Sequence, residues 1–192
     1  MKTKVLKALS SVAALLFLGG CIVSSVYPFY NDKDLTFDPG LTGHWVKADA
    51  TNEFWDFAAT NGAYSLLVED ASSTNGFSAH LFKLKNYRFL DLLTTNRGDF
   101  MMPVHLITKV STDNTNWSLH FLDYGWLATY LETNRVELRN VLVPNRTDDT
   151  NGGQMLYLTA GTRDLQVFLL KHADDTNAFG SGSDVELKRA GP

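Results

Sequence analysis

Apolar and polar positions alternate along the first two thirds of the chain. Between residues 43 and 121 the alternation has a period of two, as in strands with one buried face. The runs are short: residues 43–46, 53–57, 64–68, 77–84, 87–93, 104–110 and 117–121. Tyr64, Leu66 and Val68 fall on one side of their run. So do Val104, Leu106, Thr108 and Val110, and again Trp117, Leu119 and Phe121. Asn61-Gly62, Asn75-Gly76 and Lys85-Asn86 separate the runs. Asn and Gly accept the positive φ that tight hairpin turns demand. The pair Thr-Asn recurs at 51, 60, 74, 95, 115, 133, 150 and 176. That spacing is too irregular for a solenoid and reads as one turn chemistry reused between strands.

The period changes at Asp123. Trp126, Leu127, Tyr130 and Leu131 then share one helical face, with Asp123 as the N-cap. Residues 136–143 and 155–159 return to strand around a polar loop over 144–153. A second helix is predicted over 164–173, capped by Thr162, with Asp164 at its positive end. Leu165, Phe168, Leu169 and His172 make its inner stripe. Val167 and Leu170 lie off that stripe, which one packing surface does not require. The expectation is a helix sunk between the sheet and the first helix, with both closing one side of the sheet. Residues 180–183 read as a flexible tail before a last short strand at 185–188. About nine strands and two late helices predict a mainly β domain, an antiparallel β-barrel or strongly curled sheet. Its expected bounds are residues 41–189. The 192 residues and 44% apolar content suit one domain with a sizeable core.

The first 40 residues follow another logic. Lys2, Lys4 and Lys7 precede an apolar run over 12–18, too short for the roughly 20 residues that span a bilayer. Small residues follow, which makes residues 1–20 a secretory signal peptide. Removing the three lysines leaves 14 basic side chains against 21 acidic, a formal charge of -7. No basic patch remains to bind nucleic acid, so that class is set aside. Cys21 is the only cysteine, so an internal disulfide, a catalytic thiol and a cysteine metal site are excluded. Residues 21–40 read as a tether, with Tyr27, Phe29 and Tyr30 either packing on the base of the domain, the favoured reading because Pro28 stiffens the segment, or sitting at the lipid headgroups.

Leu18-Gly19-Gly20-Cys21 resembles the lipobox of bacterial lipoproteins. The resemblance implies a diacylglyceryl group on the Cys21 sulfur, cleavage before Cys21 and acylation of the new N-terminus. Ile22 stands where an aspartate favours inner-membrane retention in the enterobacterial members, so the implied location is the outer membrane. Gly43-His44-Trp45 resembles the Gly-x-Trp of lipocalins, eight-stranded barrels with a C-terminal helix that bind small apolar ligands. The segments at 77–84, 89–92 and 165–179 resemble a group of uncharacterised bacterial lipoproteins with no assigned activity.

No catalytic elbow, zinc helix, Walker loop or dinucleotide fingerprint occurs. His44, His80, His105, His120 and His172 are never at ligand spacing, so no metal and no cofactor is expected. Asp91 draws notice among Asp56, Glu69 and Asp99 because aspartate is depleted in strands. It is expected on an outer face, satisfied by Arg88 or a lysine. Convergence of His44, His105 and Asp91 in one cleft would favour an envelope hydrolase. Trp45, Trp55, Phe57, Tyr64, Trp117 and Phe121, with Phe82, either line a ligand cup or fill a core. The function expected is a non-catalytic envelope lipoprotein, a binding module or assembly accessory. It would be held to the membrane by lipid on Cys21 and engage an envelope protein. The alternatives are a lipocalin-like carrier of a small apolar ligand and an envelope hydrolase.

Overall fold

The structure is a computed structural model and describes residues 23–95, 102–113, 115–134, 138–144 and 154–191. The expected signal peptide over residues 1–20 and Cys21 lie outside the described residues, as does most of the loop at 144–153.

Successive antiparallel hairpins build the barrel. After β1 (Ser24–Ser25) come β2 (Gly43–Lys47), β3 (Ala50–Thr60), β4 (Ala63–Glu69), β5 (Thr74–Leu84), β6 (Tyr87–Thr94), β7 (His105–Thr112) and β8 (Asn116–Leu122). From β2 to β8 each strand pairs with the next. The chain then leaves the wall through α1 (Tyr124–Thr133), β9 (Asn140–Pro144), β10 (Gln154–Leu158) and α2 (Thr162–His172). It returns as β11 (Phe179–Arg189), which pairs with β8 on one side and β2 on the other. Eight strands thus close a fully antiparallel barrel, the predicted fold class. The helices come before the closing strand, not after it as the lipocalin likeness implies. Residues 180–183 belong to β11, where the register shifts between Phe179 and Asp184. They are not a tail, because two neighbouring edges need this strand to complete their ladders.

Local chemistry explains most boundaries. Asn61 and Gly62 have φ of 47° and 78°, the positive pair that the β3–β4 turn requires. Asn75-Gly76 was expected to turn the chain and does not. Gly76 sits in the ladder opposite Leu67. The turn lies at residues 70–73, where the Asp70 carboxylate accepts from the backbone N–H groups of Ser72 and Ser73 at 2.7 and 2.8 Å. Asp123 caps α1 by accepting from the Trp126 N–H at 2.7 Å. Gly161, not Thr162, is the N-cap of α2. The Thr162 hydroxyl is spent elsewhere, donating to the Pro28 carbonyl at 2.8 Å.

Residues 23–40, expected as a tether, are built into the domain. β1 pairs antiparallel with Leu106 and His105 of β7 and parallel with Tyr157 and Leu158 of β10. Over 108–112, β7 pairs instead with β8. The sheet therefore forks along β7, and β1, β10 and β9 extend from the wall as a flap. Val23, Ser24, Ser25 and Phe29 are buried, and Tyr30 packs beside Phe82. Tyr27 of the same segment is exposed.

Two cores follow from this fork. The first fills the barrel with Trp45, Leu66, Leu81, Leu90, Leu119 and Leu187, among others. The second lies against the outer face of β5, β6 and β7 and takes in Phe82, Phe89 and Ile107, both helices and the inner face of the flap. In α2, Leu165, Phe168, Leu169 and His172 are buried, and Leu170 is half-buried on the same cluster. Phe168 and His172 meet the rings of Trp126 and Tyr130 from α1. The helix is sunk between sheet and α1 as expected, but Val167 stands 60% exposed, so its outer side remains open.

Candidate functional site

Trp45, Trp55, Phe57, Tyr64, Trp117 and Phe121, the six expected cup residues, all point into the barrel. Each is at most 8% exposed, and they pack in one cluster with eleven other buried residues among those described. Phe82 is not with them. It faces outward into the second core, stacked on Phe89 at 5.6 Å. One end of the barrel is plugged by the turn at Pro39–Leu41. Leu41 is buried, and its carbonyl accepts from Trp45 Nε1 at 2.8 Å. The Tyr64 hydroxyl accepts from the Asp38 N–H at 2.8 Å and donates to the Asp38 carbonyl at 3.0 Å. Burial pushes the Tyr64 phenol up from its usual value, so it stays protonated in this role. Arg88 pairs with Asp38 at 3.1 Å and lies over the Trp117 ring. Arg189 from the last strand covers the Trp45 ring at 4.5 Å. Gly43 allows that approach. Its φ is +130°, and a Cβ there would sit 2.7 Å from Arg189 Nη1.

Asp91 is on the outer face of β6, as its alternation implies, yet it is fully buried. Its partner is neither Arg88 nor a lysine. The N-terminal segment lies across it and shuts out water. Asp91 Oδ2 accepts from the Phe29 N–H at 2.9 Å, and Oδ1 lies 2.7 Å from His105 Nδ1. His80 stands beside Asp91 in register and stacks on Tyr30 at 4.8 Å. Burial lowers the His80 pKa, and His105 lowers it further against the pull of Asp91. Burial, then Asp91, raises that of Tyr30.

His105 and Asp91 therefore converge, but His44 does not join them. It lies on β2, four strands around the barrel, 2.5 Å from Asp56 and stacked on Phe54. His120 pairs with Asp184 at 3.0 Å, and His172 sits among the aromatic rings of the helices. Among the described residues no three His, Cys, Asp or Glu side chains gather as a metal site. Asp91 and His105 have no serine or threonine hydroxyl bonded to them among the contacts described; the Ser25 hydroxyl donates to the Tyr27 carbonyl. A buried carboxylate holding a backbone N–H and an imidazole is a fastening between the N-terminal segment and the wall.

No family model, curated protein or solved structure matches the chain. Function must therefore be read from the surface and the core alone.

Two open clefts border the flap. One, of about 710 Å³, lies between α1 and the ribbon of β9 and β10; Tyr124, Leu131, Glu132, Arg139, Leu142 and Leu156 are among its walls. The other, of about 510 Å³, lies on the face continuous with the barrel lining; Val26, Met102, Val104, Val141, Val143 and Tyr157 are among its walls. Neither contains an expected cup residue. The reading from sequence missed this region. Its signal is Val141-Leu142-Val143, three consecutive apolar residues in a strand, which places apolar side chains on both faces.

Proposed function

We propose that this protein is a non-catalytic, lipid-anchored envelope lipoprotein whose barrel serves as a rigid scaffold and whose outer surface does the work. The observation that carries the reading is the filled barrel. The aromatic residues that could line a ligand cup are packed on one another, and the Pro39–Leu41 turn closes one mouth. An eight-stranded barrel is near the size at which side chains just fill the interior. A carrier keeps a concave apolar cavity that covers most of its ligand. The polar groups argue the same way against hydrolysis. Asp91, His105, His44 and Asp56 are each engaged with a structural partner, and the two His–Asp pairs are on opposite sides of the barrel. The lipobox-like Leu18 to Cys21 supports the anchor, and the acidic mature chain supports a protein partner or lipid over nucleic acid.

Native mass spectrometry of a leader-free Cys21→Ser form tests the scaffold. The expected result is a mass equal to the chain alone. A bound small apolar molecule that survives purification would overturn the reading in favour of a carrier. Intact mass of the membrane fraction tests the anchor. The expected mature chain starts at Cys21 with acyl chains; an unmodified chain retaining Met1 refutes it.

A further inference from the structure

The fork in the sheet leaves one face that its surroundings do not explain. Of the eight large hydrophobic side chains exposed among the described residues, Met102, Val141 and Val143 wall the cleft on the barrel-lining side of the flap, Tyr27 follows Val26 of the same cleft, and Leu142 points from β9 to the opposite side, into the cleft with Glu132 and Arg139. Tyr27 is 49% exposed, Met102 57%, Val141 49%, Leu142 50% and Val143 38%. The other three, Phe37, Leu67 and Val167, are scattered singly, as on any soluble domain. The cleft that Met102, Val141 and Val143 share has no charged side chain among its described walls. Residues 23–31, 102–108, 140–144 and 154–162 contain no Asp, Glu, Lys or Arg, in a chain that carries 21 acidic and 17 basic residues. A partner recognised through salt bridges finds no charge to pair with among the described residues of this cleft. A hydrocarbon surface needs none.

Chain connectivity identifies the occupant. Val23 is buried beside Ile107 and Leu156 in the second core, and β1 begins at the next residue. Cys21 is two residues upstream. An extended chain spans at most about 3.6 Å per residue, so the Cys21 Cα lies within about 7 Å of the Val23 Cα. An acyl group on Cys21 thus enters the bilayer at the edge of this face, with no tether to hold the domain away. On its own, an apolar strip of this size binds membrane weakly and reversibly. Fixed beside acyl chains, its second binding event becomes intramolecular.

We propose that the edge ribbon of β9 and β10, with Tyr27 and Met102, is the membrane-contacting face, and that the lipid bilayer is what covers it. The proposal rests on the lipid-anchor reading above. It fixes the orientation of the domain: the flap lies at the headgroup and acyl boundary, and β4, across the barrel from β8, faces away from the membrane.

The test uses the acylated protein in phosphatidylcholine and phosphatidylglycerol vesicles. The Cys21 thiol is consumed by the lipid, so Val141→Cys and Leu67→Cys each supply one free thiol for an environment-sensitive fluorophore. Both sites are exposed, and circular dichroism confirms that each variant is folded. Because an interfacial apolar face sits roughly 5–10 Å into the boundary, nitroxide-labelled lipid should quench the label at 141 at least about twofold more than the label at 67. Equal quenching at the two sites in acylated, vesicle-bound protein overturns the proposal and leaves the anchor standing. A label at 141 that is shielded from water yet unquenched by lipid also overturns it, and assigns the face to a second copy or to another protein. An unacylated Cys21 with no vesicle flotation overturns the anchor and the proposal together.

Discussion

Truncating Asp91 to Ala isolates the fastening that holds the N-terminal segment. The carboxylate is fully buried, accepts from the Phe29 N–H at 2.9 Å and lies 2.7 Å from His105 Nδ1. Its removal leaves a buried N–H without an acceptor, worth about 1–3 kcal/mol, and an imidazole without its partner. Breaking a buried pair from one side costs about 3–5 kcal/mol, and the two figures overlap because one carboxylate serves both groups. The expected loss is about 3–5 kcal/mol. Taking about 2 kcal/mol/M as the urea dependence, the midpoint falls by about 2 M. Urea titration of the leader-free Cys21→Ser form, followed by tryptophan fluorescence and by circular dichroism, measures it. Coincidence of the two probes is required before a single free energy is quoted. Asp91→Asn keeps an oxygen for Phe29 and should lose only about 1–2 kcal/mol. The double change Asp91→Leu with His105→Leu removes both polar partners and should be milder than Asp91→Ala alone. Chymotrypsin should cut after Phe29 or Tyr30 sooner in Asp91→Ala than in the parent. A midpoint shift under about 0.5 M, with the segment still resistant, would refute the fastening.

Three further outcomes are expected. The His80 pKa is depressed by burial, so the unfolded chain binds more protons; stability is full above about 6.5, falls with acidification through the folded-state pKa, and His80→Phe should flatten that part of a stability profile against pH. Leu165→Ala should cost about 2–5 kcal/mol and Val167→Ala less than about 0.5, because the first is buried and the second is 60% exposed; equal costs by thermal or urea unfolding would contradict the placement of α2. The Asp113 carboxyl, which accepts the Thr115 and Asn116 N–H groups, is held down to about 2, and an NMR titration giving an ordinary aspartate value would dispute that turn.

Much of the barrel was legible because each strand carries its own alternation and each turn its own chemistry. Val110 and Leu119 announce their inward face, and Asp123 announces a helix start. What escaped depends on pairs far apart in sequence. Nothing local to Asp91 shows that Phe29, 62 residues earlier, will cover it. An outward carboxylate looks the same whether water or another segment lies over it. Residues 23–40 have no period because they run across the barrel instead of forming its wall, so they resemble a linker. Val141 to Val143 failed in the opposite sense. A short apolar run reads as core, and only the topology shows that β9 is the last strand of the flap.

The position of β11 sets the order of events in folding. Strands β2 to β8 can zip as consecutive hairpins, each closing a short loop. The barrel cannot close in that way, since Trp45 waits for Arg189 across nearly the whole domain. Pairing of such high sequence separation is slow. Until it occurs, β2 and β8 each present an unpaired edge, a template for association with other chains. A chain that emerges N-terminus first receives its final staple last. Removal of residues 183–189 from β11 should therefore produce aggregates in place of a loosened monomer, and the cell that makes this protein must shelter two open edges until β11 arrives.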